Sequence, residues 1–460
     1  AQTISTVALA KGAAAGGATV TLVKGALKVM AWTKAKTAIA VTAAALLAAG
    51  TTTVVIRDVY PIQEPTYAGR SLTEWLGDSG NAFSQRGPQQ AAAEDAIRHI
   101  GTSALPFLIN DLIWDPKLRR HRLHPVRPDT RLPDVRCVQA IRGFEILGSL
   151  AKPAIPDLVK LLEQNPGYVP IALAGIGRDA VPQLEQALTN SSFFVRDNTA
   201  AGLANAVFAG RIPPTDLENI IPLAANNVAY TNTNTLFEVN TRHRAAGLLG
   251  AIHLAPEISV PALAGGLQDS HITVAIQCAD SLGRFGAEGK TATPELINAV
   301  ASTNSQLSGA ACSALSFIDP DTLAGDVLRQ TIYLATNADV GVQMQTIQAL
   351  GRRGPRASEA IPALIAKLGD ANEVIRMVAA QNLGLIAQQP NLTVPALSRA
   401  LRDSSFIVRS ESIKALAKFG WKARETVPTL LAMAKAEPGL KGNVQIALEK
   451  IDRNAAAALK

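Results

Sequence analysis

The densest set of residues able to do chemistry lies in residues 115–136 (DPKLRRHRLHPVRPDTRLPDVR), with seven basic residues against three acids. Lys117, Arg119, Arg120, Arg122, Arg127 and Arg131, with His121 and His124 among them, could present a cationic patch to phosphate, a lipid headgroup or an acidic protein. No aromatic ring is interleaved for bases to stack on, which disfavours a single-stranded nucleic-acid groove. The preferred reading is plainer: a proline-bearing arm that wraps and caps a neighbouring structural unit, with its charges in water.

Other candidates are sparser. His121 and His124 form the closest histidine pair, but Pro125 follows at once and no carboxylate or cysteine completes a metal shell. His99, His243, His253 and His271 stand singly. Cys137, Cys278 and Cys312 sit next to Ala or Val in apolar helical segments and read as small buried hydrophobes. No histidine stands at a motif-like distance from them. The chain has no phosphate-cradling glycine loop, no GxSxG, no HExxH and no paired-carboxylate frame. No catalytic residue, cofactor or metal is assigned, and the chain is expected not to be an enzyme. Arg196, Arg376 and Arg409 recur at one position of a repeating pattern, and Asp370 and Asp403 at another. Such repetition fits a structural ladder of ion pairs better than a basic strip for a ligand.

The elements that position these residues follow from that repetition. Prolines followed by Leu two residues later recur at Pro106, Pro156, Pro182, Pro261, Pro294, Pro362, Pro395 and Pro428. The last five are spaced 33, 68, 33 and 33, a unit of one length with one proline missing near Leu328. Leu263/Leu267, Leu364/Leu368 and Leu397/Leu401 occupy matching offsets four apart, one face of a first helix that the proline opens without losing a hydrogen bond. Asp269, Asp370 and Asp403 then end that helix and start a turn. Val195, Val274, Ile375 and Val408 mark a second helix, as in VIRMVAAQNLGLIA, with Gly283, Gly384 or Gly420 near its C-terminal end as expected of a cap. Two short helices cannot bury their own apolar faces, so the units must stack. Units around Pro156 and Pro222 are irregular, with a short second helix (YVPIALAGIG) and an inserted loop (YTNTNTLFEV).

Composition agrees. A chain of 460 residues exceeds one ordinary core, and 48% apolar content with 4% aromatics points to helices rich in Ala and Leu. Three cysteines exclude a disulfide framework. Of the net +7, residues 1–57 carry +6 and residues 115–136 carry +4, so the remainder is −3 and nucleic-acid binding by the body is not expected.

The strings AIPALIAKLGDANEVIRMVAAQNLGLIA and TVPALSRALRDSSFIVRSESIKALAKFG resemble HEAT repeats, particularly the short, phycobilisome-lyase-like type. The resemblance implies an all-α fold, an α-solenoid of about ten HEAT-like helix pairs between residues 89 and 452, whose second helices line a groove that recognises a protein.

Residues 37–56 (TAIAVTAAALLAAGTTTVVI) are twenty without a charge, the length of a bilayer-spanning helix. Trp32, Lys34 and Lys36 flank its start. Five lysines precede it, which places the N-terminus in the cytoplasm and the body across the membrane. A cleaved signal peptide, with Ala48-Ala49-Gly50 as its site, or an Ala-rich soluble helix would be the alternatives; the long basic lead disfavours the former. LVKGALKVMAWTKAKTAIAV resembles the anchoring tail of membrane-associated sigma-factor-like proteins of verrucomicrobial bacteria, and EPTYAGRSLTEWL the lead-in to HEAT proteins of those bacteria. The expected plan is a basic cytoplasmic tail (1–36), a transmembrane helix (37–56), a linker (57–85) and a solenoid (86–456) on the periplasmic side of a bacterial inner membrane. Its expected role is a membrane-anchored scaffold for a protein partner. The alternatives are the extracytoplasmic sensor part of a sigma-factor-like regulator, whose sigma-like region would precede Ala1, and a chromophore-lyase-like HEAT protein.

Overall fold

The computed structural model describes residues 62–80, 87–113, 122–123, 132–229 and 236–459. The expected tail and membrane span, and all of the basic insertion before residue 132 except 122–123, lie outside them. Among the described residues no helix is long and apolar enough to cross a membrane. The chain divides into two units, Ala1–Gln139 and Ala140–Lys460.

The first unit holds four two-residue strands: β1 (Ile62–Gln63), β2 (Thr66–Tyr67), β3 (Arg70–Ser71) and β4 (Arg122–Leu123). β2 and β3 pair antiparallel around Ala68 and Gly69, both at positive φ (50° and 76°), the geometry of a two-residue hairpin turn. Ser71 then opens α1 (Leu72–Asp78) as a capping box: its Oγ accepts from the Glu74 N–H at 3.3 Å, and Glu74 Oε2 accepts from the Ser71 N–H at 2.8 Å. The stretch expected as a linker therefore carries a hairpin and a capped helix. α2 (Pro88–Ile100) and α3 (Leu105–Asp111) follow, and Tyr67 stacks on His99 of α2 with ring centroids 4.9 Å apart. β1 pairs in parallel with β4, Ile62 opposite Arg122, so the basic insertion is fastened through its backbone. α4 (Pro133–Leu147) starts inside the segment read as insertion, and its Arg136 is buried.

The second unit is an α-solenoid of paired helices: α5 (Ile155–Leu161) with α6 (Val169–Ile176), α7 (Val181–Leu188) with α8 (Phe193–Phe208), α9 (Ile221–Val228) with α10 (Leu236–Ile252), and α11 (Pro256–Gly266) with α12 (Ile272–Arg284). It continues with α13 (Thr293–Val300) and α14 (Ser305–Ile318), α15 (Gly325–Leu334) and α16 (Val340–Arg353), α17 (Ile361–Lys367) and α18 (Glu373–Ile386), α19 (Pro390–Ala400) and α20 (Phe406–Phe419), and α21 (Val427–Ala436) and α22 (Lys441–Ile451), before a final α23 (Arg453–Leu459). Each second helix packs on the second helix of the next pair, and the first helices form the other layer. Leu158, Leu184, Leu263, Leu364 and Leu397 of the first helices and Val195, Val274, Ile375 and Val408 of the second are fully buried between the layers. Each contributes about 1.5–3 kcal/mol relative to exposure.

The prolines mostly open first helices: Pro156, Pro182, Pro294, Pro362 and Pro428 stand in the first two positions. Pro261 and Pro395 instead lie inside helices that start upstream, at Pro256 and Pro390. There His253, Ala255, Ala387 and Gln389 take φ of 45–50°, and the hydroxyls of Ser259 and Thr393 donate to the carbonyls of Leu254 and Gln388 at 2.9 Å, fixing a sharp turn. Other turns use a left-handed glycine and a 3-10 segment, as at Gly354 and Gly420. Gly283 and Gly384 are not caps. They lie within α12 and α18, where a methyl group would stand 3.2 Å from Ala314 Cα and 2.7 Å from Ala415 Cα. These glycines let neighbouring second helices approach closely.

Candidate protein-interaction face

The repeated arginines turn inward. Nε and Nη2 of Arg376 donate to both carboxylate oxygens of Asp403 in the next unit, at 2.7 and 2.9 Å. Its Nη1 donates to the carbonyls of Asp370 and Ala371 in its own turn, at 2.9 and 3.1 Å. One guanidinium thus closes a turn and clamps the following unit. Arg409 donates to the carbonyls of Asp403 and Ser404 and, from Nη2, to Glu437 at 2.6 Å. Arg196 donates to the carbonyls of Asn190 and Ser191. Arg242 grips Asp269 at 2.6 and 3.1 Å in the same way. The periodicity hid Arg242, because extra residues in the sequence ahead of α10 move it out of register. The hydrogen bond from Arg376 holds the Asp403 carboxyl below the usual carboxylate range; the Asn372 N–H, then Lys367, does so for Asp370.

A different set of residues faces outward. A methyl group at Gly250 would stand 2.7 Å from Ser281 Cβ, so Gly250, like Gly283, lets successive second helices approach closely. There a groove of about 670 Å³ is lined by His253, Gln277, Asp280, Arg284, Ser313 and Phe317 from α10, α12 and α14 and the turn after α10. Phe317 is 52% exposed. Arg352 of α16 lies over its ring at 3.8 Å and donates from Nε to Ser316 Oγ at 2.7 Å. Arg284 lies 5.1 Å from the centre of the Phe208 ring, itself 57% exposed. Asp280 keeps a water-facing side, yet its setting among the helices removes enough solvent to push its carboxyl up, against the attraction of Arg284 and then His243. Burial pushes Asp197 of α8 up likewise, with Arg244 at 3.7 Å opposing. A smaller hollow of about 310 Å³ between α11 and α13 has neither a cation nor an aromatic ring in its lining.

This arrangement suits recognition. Rings paired with guanidinium groups offer flat apolar area, cation–π contact and directed donors in one place. Among the described residues no cluster of His, Cys, Asp or Glu could hold a metal ion. All three cysteines are buried, and burial pushes the thiols of Cys278 and Cys312 up, Cys312 to about 11. Of the expected cationic patch, Lys117, Arg119, Arg120, Arg127 and Arg131 lie outside the described residues, as do His121 and His124, and Arg122 is described only as part of strand β4. The groove residues escaped the periodicity because they do not repeat. Aligning the second helices on Gly250, Gly283, Gly351 and Gly384 exposes them: the next residue is Ala251, Arg284, Arg352 and Leu385 in turn, a variable position in a regular frame.

Stacked short helix pairs with an arginine ladder inside and a variable outer stripe make a HEAT-like α-solenoid. Residues 361–449 match the family model described as HEAT repeats. No curated protein matches the chain in sequence. Among solved structures, importin beta matches at 13% identity and a TM-score of 0.51, over 83% of this chain and 55% of that one. The karyopherin Kap121p, bound to the extreme C-terminus of the protein phosphatase Cdc14p, matches at 16% identity and a TM-score of 0.42, over 83% and 45%. The CpcE–CpcF complex of phycocyanin lyase from Nostoc sp. PCC7120 matches at 20% identity and a TM-score of 0.33, over 52% and 94%. The chain spans about half the length of the karyopherins it matches. The likeness to importin beta is one of fold.

Proposed function

We propose that the protein is a non-catalytic HEAT-repeat scaffold that binds another protein along its second-helix layer. The observation that carries this is the Arg352 guanidinium stacked on the exposed Phe317 ring, beside a groove built by side-chain-free helix positions. A rigid repeat frame that leaves its aromatic and guanidinium groups on one open stripe is preorganised for a partner. Cross-linking mass spectrometry on the full chain in its native membranes tests it. Partner cross-links concentrated on α10–α16 support the reading; cross-links confined to the first-helix layer, or none above background, refute it.

We propose further that residues 37–56 hold this scaffold in a bacterial inner membrane with the repeats on the periplasmic side. The support is the twenty-residue uncharged stretch behind five lysines. Resistance to alkaline carbonate extraction, with repeats digested by protease added to spheroplasts, is the expected result. Release by carbonate, or protection of the repeats, overturns it.

A further inference from the structure

Two of the guanidinium groups on the second-helix layer differ from those of the ladder. Arg242, Arg376 and Arg409 each hold a carboxylate. Among the described residues Arg352 and Arg284 have no carboxylate within 4 Å. Arg352 is half-buried, its donors are met by the hydroxyls of Ser316 and Ser313 at 2.7 and 3.4 Å, and its plane is covered by Phe317. Loss of water around it without a counter-charge pulls its pKa down to about 10. A cation drawn partly out of water and given only neutral acceptors is stabilised by an incoming anion more than a solvated one is.

We propose that the groove over α10, α12 and α14, with Arg352 of α16 stacked on its Phe317, binds an acidic, extended segment of the partner protein, whose carboxylates are taken by Arg284 and Arg352 while an apolar side chain lies on Phe317. This rests on the second-helix layer being the binding face. The charge complementarity is local: Arg284 in the groove and Arg352 on its Phe317 bring two positive charges against the one carboxylate, Asp280. Asp280 and the single ring between the cations also fit an alternating acidic and apolar peptide better than a continuous phosphate backbone. Second helices stack about 8–10 Å apart. Arg284 and Arg352 lie two helices apart, so an extended chain at about 3.3 Å per residue would place its carboxylates about five or six residues apart.

A phage-displayed library of random twelve-residue peptides, selected on the immobilised full chain, tests the proposal, with affinities of the enriched peptides then measured by fluorescence polarisation. The expected winners carry Asp or Glu at that spacing around an apolar residue. Arg284→Gln and Arg352→Gln together should weaken them about tenfold or more, the loss of one to two charge-assisted hydrogen bonds. Arg352→Lys, which keeps the charge, should cost about threefold, and Asp280→Asn should tighten binding by removing a like charge. Unchanged circular dichroism and melting of each variant keep a folding defect apart from a binding one. Enrichment of basic or uncharged peptides, equal binding by the double glutamine variant, or displacement by a single-stranded oligonucleotide overturns the acidic-segment proposal and leaves the scaffold reading standing. Failure to enrich any peptide, together with absence of cross-linked partners on α10–α16, overturns both.

Discussion

Replacing Gly384 by alanine should destabilise the solenoid, although alanine is the better helix former. Gly384 lies inside α18, and a methyl group there would stand 2.7 Å from Ala415 Cα and 2.8 Å from its Cβ. The obstacle is backbone and a side chain with no torsion to rotate away, so α20 itself must move. Overpacking of this kind costs about 1–3 kcal/mol. Glycine to alanine in a helix interior returns about 1 kcal/mol. The expected net is a loss of up to about 2 kcal/mol, felt locally because each repeat couples only to its neighbours.

The matched control is Gly265→Ala in α11, where nothing lies within 4 Å of the added methyl. It should stabilise by about 0.5–1 kcal/mol. Urea unfolding followed by circular dichroism gives the sign for each. Hydrogen exchange should then show α18 and α20 losing protection in Gly384→Ala while α6 and α8 keep theirs. A Gly384→Ala protein more stable than wild type, so that both substitutions shift in the same direction, would refute the close-approach account of these glycines.

Three further expectations concern other parts of the frame. Asp403→Asn should cost about 1–3 kcal/mol near neutral pH, since it removes the negative charge and one of the two acceptor oxygens of the Arg376 fork. The Asp403 carboxyl lies below its unfolded value because of that hydrogen bond. Its contribution is therefore full above about pH 4 and lost as pH falls through the folded value, so wild type and variant should converge in urea titrations run at pH 7 and pH 3. Cys278 and Cys312, buried with raised thiols, should escape labelling by iodoacetamide at pH 8 in native protein and react fully in urea, read by peptide mass mapping. Ser71→Ala should cost about 1 kcal/mol of local stability by removing the cap of α1, seen as faster exchange in residues 72–78 with no change in α18.

The helix pairs were legible because their signals are the core itself. Leu364, Ile375 and their equivalents repeat because every unit must bury the same surface, and burial leaves no freedom to vary. What escaped were features set by one local arrangement. The sharp turns before Pro256 and Pro390 depend on Ala255 and Gln389 adopting left-handed backbone, which neither residue type announces. The pairing of β1 with β4 joins two-residue strands far apart in the chain, too short for any alternation to register. Arg242 belongs to the ladder by geometry but not by spacing, since an insertion in the sequence displaced it. The groove was invisible to periodicity for the opposite reason: a binding stripe differs from unit to unit.

That contrast separates two roles for one residue type. Arg376 and Arg352 both lie on second helices of adjacent pairs, but Arg376 is spent on a carboxylate and two carbonyls inside the stack, whereas Arg352 rests on a ring and two hydroxyls beside a groove. Removing the first unclamps two units and should lower stability wherever the protein is assayed. Removing the second releases a partly desolvated cation that has no counter-charge, so the cost to the fold should be small and the cost to a bound acidic partner large. Arg376→Gln and Arg352→Gln, compared for urea midpoint and peptide affinity, should therefore fall in opposite corners. If Arg352→Gln instead unfolds the chain as readily as Arg376→Gln, the arginine on Phe317 is a structural member like the rest, and the outward stripe loses its claim to be the binding face.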